Sequence, residues 1–244
     1  MPIFILVIAI QVIAAVHVLR TGRDMRWLFA IFFLSLIGCL IYFFVEVLPS
    51  LKQSPTARRA LRVARATVDP GRGVRKGELD YERSQNIETA ARLADELTKA
   101  GRFDEAIRVC TEARVGLFED DPKILLALAS AQFAAARYAA TIATLDYLRD
   151  KNPGLRAADG HLIYARALEE SGATERALKE YDALARYYPG AEARVRQALL
   201  FKKAGRTAEA QALFAAILKD ARLAPKHFRK SQHEWIALAE KEQV

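Results

Sequence analysis

The sequence predicts an all-α protein in two parts, an N-terminal transmembrane helical hairpin followed by an α-solenoid of stacked helix pairs. Three observations carry that prediction. Two long apolar runs occupy the opening residues, an arginine-rich segment follows them, and a short turn motif then returns at near-constant intervals. The 244-residue chain is 52% hydrophobic and 27% charged, with a formal net charge of +8. The uneven spread of those residues separates the parts.

Residues 1–49 are expected to form a two-helix membrane anchor. Pro2 to Leu19 is an 18-residue run without a charge, interrupted by Gln11 and His17. Trp27 to Leu48 is 22 residues with one acid, Glu46. A bilayer core of about 30 Å needs about 20 such residues in a helix. The second run is apolar around its whole circumference, unlike the one-sided pattern of a surface helix. A cleaved signal peptide would need a basic n-region, which is missing, and would leave the second run unexplained. Trp27 stands at a helix end, where its amphipathic ring favours the interface.

Residues 50–83 are expected to be a basic juxtamembrane segment and linker. From Ser50 to Lys76 the basic residues Lys52, Arg58, Arg59, Arg62, Arg65, Arg72, Arg75 and Lys76 face Asp69 alone, whereas acid and base balance from Gly77 onward. The surplus is thus local, which argues against nucleic acid as a partner. In TARRALRVARA, Ala57, Ala60, Leu61 and Ala64 share one helical face, leaving Arg58, Arg59, Arg62 and Arg65 as candidate contacts to anionic lipid. A solvated linker whose charges only enforce topology is the competing reading. The turn between the apolar runs carries three arginines and the segment after them five basic residues up to Arg65. That excess places the repeat domain on the cytoplasmic side. Cys39 lies in the second apolar run and Cys110 on a repeat stripe, so no structural disulfide is expected.

Residues 84–244 carry the repeats. The motif reads GRFDEAI at Gly101, ARYAATI at Ala136, GATERAL at Gly172 and GRTAEAQ at Gly205, at intervals of 35, 36 and 33 residues. A small residue stands five after each turn (Ala106, Thr141, Ala177, Ala210), a bulkier one four later (Cys110, Leu145, Tyr181, Phe214), and an apolar one three after that (Ala113, Leu148, Leu184, Ile217). Spacings of four and three lie on one helical stripe, which predicts a second helix packed closely on a first. Pro153 and Pro189 stand where those helices should stop. First-helix stripes show as Leu125, Leu128 and Ala129, and as Tyr164, Ala165 and Leu168. Beyond four units, Trp235, Leu238 and Ala239 edge a charged final helix that suits a cap on the open end.

These motifs resemble the tetratricopeptide repeat family, over roughly residues 87–222, with GRFDEAI close to its typical turn. The match departs from the family at the first-helix tryptophan and adjacent glycine, which are missing, and at Arg194 and Gln197, which hold positions usually apolar. In that family the first helices line a concave groove that binds peptides. The resemblance therefore implies groove positions at Asp95 and Lys99, at Lys123, Ser130 and Phe133, at Asp159, Leu162, Arg166, Glu169 and Glu170, and at Leu199, Lys202 and Lys203. An ordinary exposed helix residue is the alternative at each. The third unit is acidic and the fourth basic, a gradient that would orient a peptide. The arginine-rich turn, Trp27, Gly38 and closing Pro49 of the hairpin resemble the N-terminal membrane region of cardiolipin synthases. The His-x-Lys-x4-Asp motif that carries catalysis in that family is missing here. The whole layout resembles a proteobacterial inner-membrane tetratricopeptide family.

Motifs for metal, nucleotide or nucleophilic chemistry do not occur: there is no CxxC, HExxH, GxGxxG or Walker-type loop. Acidic pairs such as Asp120–Asp121 read as solvated helix ends, and His161 falls where an aromatic usually packs in the core. No cofactor and no catalysis are expected. The expected work is that of a bacterial inner-membrane scaffold or adaptor holding protein or peptide partners. The alternative is an accessory to membrane-lipid or envelope synthesis acting through the hairpin, where Gln11, His17 and Glu46 would matter.

Overall fold

A computed structural model describes Asp69 and residues 71–243, with isolated positions before them (Gln11, Ala15, Val16, Val18, Phe32, Ile41 and Val45). The chain divides into two compact units, residues 1–70 and 71–244. Apart from those isolated positions, the expected hairpin lies outside the described residues, as do the four arginines Arg58, Arg59, Arg62 and Arg65. Among the described residues no helix is long and apolar enough to cross a membrane.

The second unit holds eleven α-helices and, among the described residues, no strand. A leading helix α1 (Arg72–Arg83) precedes four pairs: α2 (Ile87–Lys99) with α3 (Phe103–Ala113), α4 (Pro122–Ala134) with α5 (Tyr138–Lys151), α6 (Ala158–Glu170) with α7 (Thr174–Ala185), and α8 (Glu192–Lys203) with α9 (Thr207–Leu223). Two short helices close the unit, α10 (Lys226–Ser231) and α11 (His233–Glu242). Each of α2 to α9 packs on its pair partner, successive pairs pack on one another, and α11 covers α8 and α9.

Every pair closes by the same device. The backbone N–H just after the turn donates to a carbonyl five residues back: Arg102 to Leu97, Arg137 to Gln132, Ala173 to Leu168 and Arg206 to Phe201, at 2.8–2.9 Å. That closure satisfies the orphan carbonyls of the first helix and requires a left-handed residue before the donor. Gly101, Gly172 and Gly205 supply it with φ of 77°, 80° and 78°, and Ala136 adopts φ 56°. The repeat motif is thus a backbone requirement written in sequence.

Behind the turns, Ala106, Thr141, Ala177 and Ala210 are buried and let the paired helices approach. Cys110, Leu145, Tyr181 and Phe214 fill the space between pairs, again buried. The result is three consecutive cores, drawn from Val74 to Ala239. Helix starts between pairs use side-chain caps where the sequence offers them. Asn86 accepts from Thr89 N at 2.9 Å, and Asp121 accepts from Lys123 N at 2.8 Å ahead of Pro122.

Two differences from expectation stand out. The stretch read as the end of a linker folds as α1, which lays Val74, Gly77 and Tyr81 on α2. The compact unit accordingly begins at Gly71 rather than at 84. The fourth pair forms despite its polar positions because each finds a partner. Arg194 pairs with Asp220 at 2.6 Å, and buried Gln197 donates to Leu178 O at 3.5 Å.

Candidate functional site

The groove positions divide by what their side chains touch. Phe133 ends α4 half-buried, with the Arg166 guanidinium of α6 stacked over its ring at 4.6 Å. Tyr138 meets the same ring at 5.6 Å between centroids. A cation held over a ring face gains electrostatic attraction and loses little mobility on binding a ligand. Ser130 lies one helical turn before Phe133 and is partly buried. Phe133 and Arg166 are thus brought together across two repeats.

Other positions are already committed within the protein. Lys123 reaches Glu88 of the preceding first helix, and Lys202 reaches Glu242 of α11 at 2.9 Å. Lys99 is held by Asp95 and Glu96 of its own helix. Glu169 accepts the Tyr181 hydroxyl at 2.6 Å. Burial and then that carboxylate push the Tyr181 hydroxyl far above the ordinary phenol range. Leu199 is partly buried against the terminal core.

Leu162 requires a correction. It is 7% exposed and packs in the central core, so its side chain is not offered to a partner. Asp159, Glu170 and Lys203 are exposed and form no ion pair among the described residues. The acidic third unit and basic fourth unit of the sequence are therefore reduced to these few free charges.

A second feature escaped sequence reasoning. A cavity of about 140 Å³ opens between α5, the loop after it, α6 and α7, floored by Leu126, Leu145 and Leu148. His161 lines it rather than filling the core. Its Nδ1 lies 2.5 Å from the Tyr187 hydroxyl and its Nε2 2.7 Å from Glu180. With Nε2–H donating to the carboxylate, Nδ1 accepts from Tyr187, and both nitrogens are satisfied. The His161 hydrogen bond holds the Glu180 carboxyl below the ordinary carboxylate value, against the opposing effect of burial. Arg149 adds a contact to Glu180 at 3.6 Å and stacks over Tyr164. Glu180 and Tyr187 stand 19 and 26 residues beyond His161, so no local pattern announces the cluster.

Chemically, these arrangements bind and brace. Among the described residues no group of three His, Cys, Asp or Glu is placed to hold a metal ion. Cys110 is buried, and burial pushes its thiol up to about 12, which removes it as a nucleophile at neutral pH.

Several solved structures share this arrangement of helices, among them the following three. A thermophilic TPR protein of Thermus thermophilus superposes with a TM-score of 0.52 at 21% identity, over 74% of this chain and 98% of its own. MamA MSR-1 C2 superposes with a TM-score of 0.51 at 16% identity, over 66% of this chain and 99% of its own. YrrB, a TPR protein with an unusual peptide-binding site, gives 0.50 at 15% identity, over 68% of this chain and 92% of its own. At these identities the likeness is one of fold: residues 71–243 form a tetratricopeptide-type α-solenoid. No protein-family model matches the chain, and no curated protein does.

Proposed function

We propose that this protein is a membrane-anchored, non-catalytic scaffold that holds partner proteins or peptides along the exposed side of its first helices. The observation that carries the reading is the Phe133–Arg166 stack, a rigid aromatic–cation pair contributed by two successive repeats. Glu170 and Lys203, exposed and without an ion pair among the described residues, end α6 and α8 and continue the proposed row. A peptide laid across that row meets an apolar face, then a negative and a positive charge, which sets its direction. Lys202 is tied to Glu242, so Lys203 carries the basic end. The likeness to a solved TPR protein with a peptide-binding site supports the class of partner.

The anchor belongs to the same proposal. Its support is the length and continuity of the two apolar runs before residue 49. The count of basic residues on either side of the second run, three against five, supports an inner-membrane location with the repeats in the cytoplasm. A reporter fused to the C-terminus tests the side directly, and periplasmic activity there would overturn it.

Site-specific photocrosslinking in native membranes tests the docking row. Probes at Ser130 and Glu170 should capture a partner, and probes at the exposed second-helix positions Ala143 and Lys179 should not. Lys203→Glu should weaken capture from the first-helix probes severalfold while leaving the helical content intact. Adducts confined to Ala143 and Lys179 would sink the reading.

A further inference from the structure

We infer that the C-terminal end of the array is a docking surface for an anionic bilayer, built from Lys219, Arg222, Lys226, Arg229 and Lys230 around the protruding Leu223. Some exposed cations in the array answer a carboxylate, as Arg92, Lys99, Arg102, Arg137 and Arg186 do, and others, such as Arg108, Lys151 and Lys179, form no ion pair among the described residues. Residues 219–230 gather five cations with a single acid, Asp220. The five named here are all exposed and form no ion pair among the described residues. Two acids interrupt the stretch or follow it closely in sequence. Asp220 is held by Arg194 at 2.6 Å, and Glu234 lies on α11 beyond the cluster.

On each of the two helices the cations lie away from the packed side. Lys219, Arg222 and Leu223 fall at i, i+3 and i+4 on the last turns of α9, opposite the buried Leu218 and Ala221. Pro225 then starts α10, whose Phe228 lines a shared cavity with Ile217 and Ala221. Lys226 and Lys230 stand two residues either side of Phe228, on the far side of that helix, with Arg229 beside them. Leu223 is 80% exposed and has no role in the core.

The apolar residue selects the partner. A surface of anionic headgroups neutralises the cations while the acyl boundary beneath accepts an aliphatic side chain. A nucleic-acid backbone would take the same cations and offer nothing to a leucine that stands clear of any aromatic platform. This surface shares no residue with the first-helix row, so it stands or falls without that row.

Residues 71–244 are used for the test, because their cores lie wholly within that unit, with circular dichroism confirming the fold. The unit should co-sediment with phosphatidylcholine vesicles only when phosphatidylglycerol is included, and salt should release it. Lys226→Glu with Lys230→Glu should weaken binding by about tenfold or more, and Leu223→Ser should weaken it severalfold. In nanodiscs, the full chain should show slower hydrogen exchange over residues 219–231 in anionic lipid than in zwitterionic lipid. Equal behaviour in both lipids would overturn the inference. So would retention on duplex DNA that vesicles do not compete and Leu223→Ser does not change.

Discussion

Cys110 shows how a single position reports the state of the whole array. It stands nine residues after Gly101, at the contact between the first pair and the second, and no part of it is exposed. With its thiol raised to about 12, alkylation at pH 8 should proceed in residues 71–244 only as fast as that contact opens. Labelling with a maleimide, with and without denaturant, measures this; rapid labelling of the native protein would contradict the packing. Glu180 makes a different prediction. Its carboxyl is held below the ordinary value in the folded protein by the hydrogen bond from His161. The folded state therefore favours the charged form, and the stabilisation is present above the unfolded carboxylate value. It is lost as pH falls through the lower folded value. Glu180→Gln should cost on the order of 1 kcal/mol at pH 6, with the two stability curves converging in acid. A difference that persists unchanged in acid would exclude a hydrogen bond that depends on the charged carboxylate.

At the scale of elements, the pair-closing turn is the repeated unit. A left-handed alanine is worse than glycine by about 1–2 kcal/mol in the turn, and glycine returns part of that through its freer unfolded state. Ala136→Gly should therefore stabilise the array by about 0.5–1 kcal/mol. A rise in the thermal midpoint checks it, and a fall would mean that the Ala136 side chain supports something the turn geometry does not reveal. The same edge carries a ladder of ion pairs between neighbouring repeats: Arg102 with Glu78, Arg137 with Asp104 and Arg206 with Glu175. These pairs are well exposed, so each contributes little, and they serve register more than stability. The first rung ties Glu78 of α1 to Arg102, but packing is what docks α1, although its sequence reads as charged linker. Only a narrow stripe touches α2. Val74 is buried there, and the missing side chain of Gly77 lets the backbones close to where a Cβ would sit 3.1 Å from Leu93 Cδ1.

For the whole repeat unit, stability is shared between neighbours, since each pair buries its face only against the next. The terminal core needs Trp235, Ile236 and Leu238 of α11 over Val195, Ala198 and Phe214. Deleting residues 226–244 should expose that face and raise hydrogen exchange in α8 and α9 while leaving α2 and α3 protected. Uniform loss of protection would show that the array unfolds as one cooperative block. The same deletion removes most of the inferred lipid surface, so point variants rather than truncation are the tool for testing it.

How much of this was legible follows from what is local. The turn glycines, the small–large–apolar stripe and the stopping prolines are consequences of helix geometry within one repeat, and they appear at their places in the fold. The chain alone therefore determined the number of pairs, their boundaries within a few residues and most of the core. It could not assign partners across repeats, because those depend on side chains brought together from 19 to 40 residues apart. Tertiary structure decided that Leu162 turns inward, that Lys202 is spent on Glu242, and that His161 borders a cavity with Glu180 and Tyr187. It decided too that five cations at the far end are left without partners among the described residues. Charge along a sequence counts residues, whereas charge on a surface counts only those the fold has not already neutralised.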